Sequence, residues 1–150
     1  MGRRAPSAPL GPSHRGTALA RLILDTTILV AAEREGLPLD ELIDDEDDIA
    51  IAAVTAAELL VGVELADAKR RKNRAEFVES VLALVPVEVY DLGVARAHAG
   101  LLAHTHRSGN SRGAHDLLIA ATAVECDRLI VTADAAGFAD LPGISIRTPG

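Results

Sequence analysis

Hydrophobic residues recur along this chain in two rhythms. Short apolar runs stand at residues 22–24 (LIL), 49–52 (IAIA), 87–89 (VEV), 129–132 (LIVT) and 144–146 (ISI), and longer Ala- and Leu-rich stretches separate them. The short runs, rich in β-branched residues, read as buried strands; the longer stretches place apolar residues three to four apart, as helices do. The predicted helices run from after Asp25 to about Arg34, Thr55 to Ala66, Lys69 to Leu84 with Phe77, Val81 and Leu84 on one face, Val94 to His106, and Ala114 to Cys126. Gly36 with Pro38, Pro86, the SGNSRG stretch and Pro142-Gly143 supply the breaks. Strands alternating with helices predict an α/β fold, a three-layer α/β/α sandwich around a central, mostly parallel sheet.

Two segments stand outside this rhythm. Residues 1–20 hold Pro6, Pro9 and Pro12 among Gly and Ser, a composition expected of a disordered N-terminal leader, which leaves 21–150 as one domain. Residues 40–48 (DELIDDEDD) hold seven acids and read as a solvated surface segment.

Charge and composition narrow the function. The leader carries three of the 15 basic residues and none of the 22 acids, so residues 21–150 hold 12 against 22, a net charge of −10. Such a surface repels polyanions at long range unless cations or a basic patch intervene, and it attracts basic partners. Phe77, Phe138 and Tyr90 are the only aromatics, which disfavours modules that stack bases on aromatic platforms. The single Cys126 excludes an internal disulfide framework and suits a cytoplasmic location. No apolar stretch approaches the ~18 residues of a membrane span.

Against that background four acids are notable for their positions: Asp25 after the first strand, Glu58 and Asp116 in the opening turns of helices, and Asp134 after the LIVT strand. Each alone has a structural explanation. Asp25 can cap the next helix, Thr55 to Glu58 matches a capping box, and Asp116 and Asp134 suit a helix start and a turn. Together they fall on the rim where a parallel sheet gathers its strand ends and helix starts, which is where such folds bind ligands. Two carboxylates about 5 Å apart repel by roughly 3 kcal/mol at an effective dielectric near 20, so four in one pocket call for a cation. An all-oxygen acidic set suits Mg²⁺, with Mn²⁺ as a substitute, whereas a lone Cys and His residues without ligand spacing disfavour zinc. Thr26 and Thr132 are placed to support the carboxylates from behind. His115 adjoins Asp116, but helix neighbours point about 100° apart, so it is not expected to face the ion.

These stretches together resemble the PIN-domain nucleases, and in particular the VapC toxins of toxin-antitoxin pairs. The D-T-S/T motif is Asp25-Thr26-Thr27, the T-x-x-E-L motif spans Thr55 to Leu59, the D-x-x-I-A-A helix spans Asp116 to Ala121, and T-x-N/D-x-x-D/G-F spans Thr132 to Phe138. Many members of that family place Asp before the final aromatic; this chain has Gly137 there, so the fourth role is carried to Asp134, with Asp140 read as a loop residue.

The resemblance implies a Mg²⁺-dependent endoribonuclease. Asp25, Asp116, Glu58 and Asp134 would be both its metal-holding and its catalytic residues, and cleavage by metal-activated water would leave 5′-phosphate and 3′-hydroxyl ends. It further implies a homodimer restrained by a cognate VapB-like antitoxin. Lys69, Arg70, Arg71, Lys72 and Arg74 form a basic run on an acidic chain, and with Arg112 they are candidates for contacting RNA. The rival is a non-catalytic PIN-like module that binds RNA or protein. Other acidic-site classes fail on particular positions. A phosphatase of the haloacid-dehalogenase type wants Asp where Thr27 stands, a receiver domain wants a late lysine that this chain lacks, and no G-x-G-x-x-G follows the first strand.

Overall fold

The computed structural model describes residues 20–37 and 47–149. The readings of 1–20 as a leader and of 40–48 as an acidic surface segment therefore lie mostly outside the described residues, but Asp48 opens the second strand and pairs with Arg21 and Arg128. In chain order the elements are β1 (Arg21–Leu24), α1 (Thr26–Glu35), β2 (Asp48–Ala52), α2 (Ala53–Leu65), α3 (Ala68–Leu84), β3 (Val87–Glu88), α4 (Leu92–Ser108), α5 (Ala114–Cys126), β4 (Leu129–Val131), a 3-10 turn (Ala135–Phe138) and β5 (Ile146–Arg147).

The strands form one sheet in the order β3-β2-β1-β4-β5, and every neighbouring pair is parallel. The chain winds outward from β1 through β2 to β3, then returns to the other side of β1 for β4 and β5. The order reverses between β1 and β4, where Leu24 stands opposite Val131, so the crevice at their C-terminal ends is the place where an open α/β sheet binds ligands.

Strand alternation divides the core. Leu22 and Leu24 of β1, with Ile51 and Val131, pack on one face against Ile28 and Leu29 of α1, Leu59 of α2, and Val78, Val81 and Val85. Ile23, Ala52 and Ile130 turn to the other face and meet Val94 and Leu101 of α4, the α5 stretch Ile119–Ala121, and Phe138. Side chains one residue apart on a strand point to opposite faces, so two buried faces demand continuous apolar strands. The three layers follow, with α1 and α3 on one side and α4 and α5 on the other.

Three details differ from the sequence reading. Helix α2 begins at Ala53, not Thr55, because the chain leaves β2 directly into the helix with Ala52 as its cap. Of the expected inward stripe on α3, Val81 is fully buried and Phe77 packs against the core, but Leu84 is exposed, and Val78 and Val85 complete the buried face. The last strand pairs at Ile146–Arg147, shifted toward the C-terminus, with Ile146 opposite Ile130.

The opposite, N-terminal rim is tied by arginines. Arg128 has a side chain only 6% exposed; it donates to Glu88 (2.8 Å), to the Asp48 carboxylate (3.1 Å), and to the backbone carbonyls of Asp48 (2.8 Å) and Leu22 (3.1 Å). Arg21 joins Asp48 at 2.7 Å and the Cys126 carbonyl at 2.7 Å. Arg128 thus connects β1, β2 and β3 to the start of β4. Its carboxylate partners are partly exposed and screened, so most of its value lies in satisfying the two carbonyls. Arg128→Ala is expected to lower stability to urea by about 2 kcal/mol, and an unchanged urea midpoint would show that water replaces the guanidinium without loss.

Candidate active site

Asp25 follows β1 and is only 3% exposed. A charge so buried needs donors on each oxygen, and the first turn of α1 and the residue after β4 supply them. Oδ1 accepts from the Thr26 amide at 2.7 Å, while Oδ2 accepts from the hydroxyls of Thr27 at 2.9 Å and Thr132 at 2.6 Å. The capping role is therefore real: Asp25 is the N-cap of α1 and lies on the acidic rim as well. Thr132 also accepts from the Asp134 amide at 2.9 Å, and Thr27 from the Ala133 amide at 3.1 Å. One carboxylate, two hydroxyls and two amides thus lock the end of β1 to the end of β4.

Glu58 does not close a capping box. Because α2 starts early, Thr55 lies inside the helix, fully buried, its hydroxyl without a partner among the described residues. The Glu58 carboxylate instead accepts from the Thr26 hydroxyl at 2.5 Å and meets His115 Nδ1 on its other oxygen. His115 therefore does face the acidic site, against the expectation from helix geometry, because the opening turn of α5 presents it toward α2.

Asp116 is in the first turn of α5, a favourable position for an acid. Its pKa is nevertheless raised above the ordinary carboxylate value, first by burial, then by the negative charges of Asp25, Asp134 and Glu58, with His115 opposing. All three other acids thus lie within electrostatic reach of Asp116. Gly137 of the 3-10 turn shows the crowding: a Cβ there would stand 2.8 Å from Asp116 Oδ2 and 3.5 Å from Asp134 Oδ2. Asp134 is exposed, at the mouth of the site.

Among the described residues no three acidic, His or Cys side chains are already drawn together as a metal cage. The donor chemistry still fits a hard cation. The set is all oxygen, Asp25 and Glu58 are held by hydroxyls, and Mg²⁺ keeps several waters and takes only one or two carboxylates directly.

The cationic candidates do not gather here. Arg112 donates to the carbonyls of Ala136 (3.1 Å) and Ala139 (2.6 Å) and lies 3.8 Å from Asp140, so it fastens the 3-10 turn that carries Gly137 beside Asp116. Its partners among the described residues are protein groups. Arg74 pairs with Glu33 at 2.6 Å and reaches the Gly62 carbonyl at 3.3 Å, and Arg71 donates to the carbonyls of Glu64 and Ala66 at the end of α2. Lys69, Arg70 and Lys72 are exposed on the first turns of α3, away from the acids.

The sequence profile of the PIN domain matches residues 22–144, a span that contains all four acids. This chain belongs to the PIN-domain family. Among curated relatives, Ribonuclease VapC of Rickettsia bellii is 30% identical over 128 residues, covering 85% of this chain and 95% of that one. Ribonuclease VapC5 of Mycobacterium tuberculosis is 38% identical over 128 residues, covering 85% and 92%. In the solved structure of VapBC-5 from Mycobacterium tuberculosis, a member of the VapBC family of toxin-antitoxin systems, the matching chain is 34% identical. It superposes with a TM-score of 0.69, covering 87% of this chain and 98% of that one. VapBC2 of Rickettsia felis, solved on a DNA fragment from its promoter, shares the fold with a TM-score of 0.78 at 22% identity, over 87% and 99% of the two chains.

Sequence reading missed two parts of this PIN domain's rim, Thr27 and His115. Thr27 could have been found, since a hydroxyl two residues past a buried Asp at a helix cap is well placed to bond back to it. His115 depends on how α5 meets α2, which local pattern does not encode.

The raised pKa of Asp116 has a signed consequence. The folded state holds its proton more tightly than the unfolded chain, so ionised Asp116 costs stability as pH rises from the unfolded carboxylate value through the folded one, and costs none below. Asp116→Asn is expected to melt at a higher temperature than the parent at pH 7 in chelator, with the gap closing toward pH 4. Thermal melts across that range check it; a variant that melts lower at pH 7 would contradict the repulsion.

Proposed function

We propose that this PIN domain is an endoribonuclease, the toxin of a toxin-antitoxin pair, and that it hydrolyses RNA phosphodiester bonds with a divalent metal ion, Mg²⁺ or Mn²⁺. The observation that carries this reading is the convergence of Asp25, Glu58 and Asp134 on Asp116 at the sheet's switch point, an arrangement that costs stability unless a cation compensates. The ribonuclease names of the relatives that match most of this chain support the reaction.

In this reading Asp25 and Asp116 hold the ion, and Glu58 and Asp134 complete the site directly or through water. A divalent cation held there supplies an activated water for attack on the phosphorus and neutralises charge on the scissile phosphate. The protein's own contribution is to fix the carboxylates. Thr132 and Thr27 orient Asp25, Thr26 orients Glu58, and Arg112 holds the turn that keeps Asp134 and Gly137 beside Asp116. Products with 5′-phosphate and 3′-hydroxyl ends follow from water attack with departure of the 3′ oxygen.

A cognate VapB-like antitoxin is the partner, supported by the toxin-antitoxin complexes among the solved relatives. The acidic crevice favours an inhibitor that presents Arg or Lys. Helix α2 exposes Leu60, Val61 and Leu65, a stripe that a partner's apolar helix face can cover. A homodimer belongs to the same reading. No helix of the described residues is long and apolar enough to cross a membrane.

Purified protein is expected to cut RNA with Mg²⁺ or Mn²⁺, to stop with EDTA, and to resume when the ion is restored in excess. Asp116→Asn should reduce cleavage to the background of buffer, while Thr132→Val, which strips a supporting hydroxyl from Asp25, should cost about 10- to 100-fold. Cleavage that survives both EDTA and Asp116→Asn would remove the mechanism, and a native chain that binds RNA but never cuts it would favour a non-catalytic module.

A further inference from the structure

The basic run divides by the partners its side chains find. Arg71 is occupied by the carbonyls at the end of α2, and Arg74 by Glu33 and Gly62. Lys69, Arg70 and Asn73 share one face of α3 with Arg74, at the helical spacing i, i+1, i+4 and i+5, and that face turns toward the last turns of α1. Together with Val30, Glu33 and Arg34 of α1 they line an open concavity of about 470 Å³. Among the described residues, four cations therefore line a hollow with one acid, and that acid is already paired with Arg74. Among the described residues no carboxylate side chain pairs with Arg34, Lys69 or Arg70.

Arg74 ties α3 to α1, and Arg34 suits the last turn of α1, but the placement of Lys69 and Arg70 is not favoured by the fold. Lys69 and Arg70 sit in the first turn of α3, where the helix dipole disfavours positive charge, and like charges across a hollow repel. Among the described lining residues this leaves a local surplus of three positive charges on a chain of net charge −7. Its place relative to the acids is set by α1 and α2. Thr26, which holds Glu58, opens α1, and Glu33 lies seven residues further along it, about 10 Å at the helical rise.

We infer that the hollow between α1 and α3, lined by Arg34, Lys69, Arg70 and Asn73, binds the sugar-phosphate backbone of single-stranded RNA a few nucleotides from the bond cut at the acidic rim. The inference rests on the ribonuclease reading for the identity of the polyanion. It assigns the binding to these residues and withdraws Arg71 and Arg112, whose guanidiniums are engaged by the protein. With no aromatic side chain among its lining residues, the hollow grips phosphates irrespective of base.

The test uses the full chain carrying Asp116→Asn, so that RNA is bound without being cut, and compares it with the same chain carrying Lys69→Ala and Arg70→Ala in addition. The probes are a single-stranded RNA of about 12 nucleotides, within the usual range of strand-tracking sites, and a fragment of about four nucleotides around the cleaved bond. The two substitutions should weaken binding of the longer probe roughly tenfold at low salt. They should also flatten its log affinity against log salt by about 1.4, because each phosphate that a cation neutralises on a single strand adds ~0.7 to that slope. The short fragment should be unaffected, and Lys69→Arg with Arg70→Lys should restore the longer one.

Unchanged affinity and salt slope on the longer probe would overturn the inference, as would equal losses on both probes. Unchanged RNA binding together with lost binding of an oligoglutamate peptide would assign the hollow to an acidic protein segment instead. Cleavage by the chain with Asp116 intact separates the two readings: RNA held through this hollow but never cut leaves the binding site standing and removes the ribonuclease.

Discussion

A buried carboxylate at the point where the sheet changes direction organises this molecule. Asp25 sits between two parallel strands, and its charge is tolerable because every hydrogen bond it accepts comes from a group whose position the fold already fixes: the first amide of α1, and hydroxyls of Thr27 and Thr132. Those hydroxyls are themselves held by the amides of Ala133 and Asp134. The register between β1 and β4 and the direction of α1 are thereby tied to one side chain, and the same ties aim the chain after β4 toward Asp116. Replacing any single partner would leave a buried charge or a buried amide short of a bond, a cost well above that of an ordinary surface hydrogen bond.

Around that anchor the fold accepts a second, opposite tendency. Asp116, Glu58 and Asp134 add negative charge to a place that already holds some, and the pKa of Asp116 is raised first by burial and then by these neighbouring charges. The protein limits the cost by different means at each acid. Asp116 opens a helix, Glu58 leans on Thr26 and His115, and Asp134 stays in solvent, where screening is strongest. None of these removes the mutual repulsion, which is the physical ground for the proposal that the rim takes a compact cation. A loose arrangement of the acids is consistent with this, since an ion that keeps its water needs a field of oxygens more than it needs closed coordination.

The sequence carried much of this because strands buried on both faces cannot hide: LIL, IAIA and LIVT announce themselves, and acids that border them fall on one rim by topology alone. Structural and functional explanations of a residue also proved compatible, as Asp25 caps a helix and joins the acidic rim. What stayed illegible depends on how elements meet. The capping box at Thr55 to Glu58 is a sound local pattern, but the direct passage from β2 into α2 moved the helix start to Ala53 and freed Glu58 for other partners. Leu84 fits a helical stripe and is nonetheless exposed, because the helix is rolled so that Val78, Val81 and Val85 face the sheet. Arg112 reads as a free cation until the 3-10 turn brings the carbonyls of Ala136 and Ala139 to it.

The distribution of charge then poses a problem that the layout itself resolves. An acidic pocket on an acidic domain repels a phosphate strand that comes within a Debye length, about 8 Å at physiological ionic strength, so any attraction must come from nearby cations. A basic hollow placed inside the pocket would pair with the carboxylates and compete with any cation there. Placed about two turns of α1 away, with the one acid among its described lining residues paired with Arg74, the proposed site would hold a strand without quenching the pocket. Separation by about two turns of α1 is therefore a compromise: far enough for the two charge clusters to be screened from each other by water, near enough for one polyanion to span both.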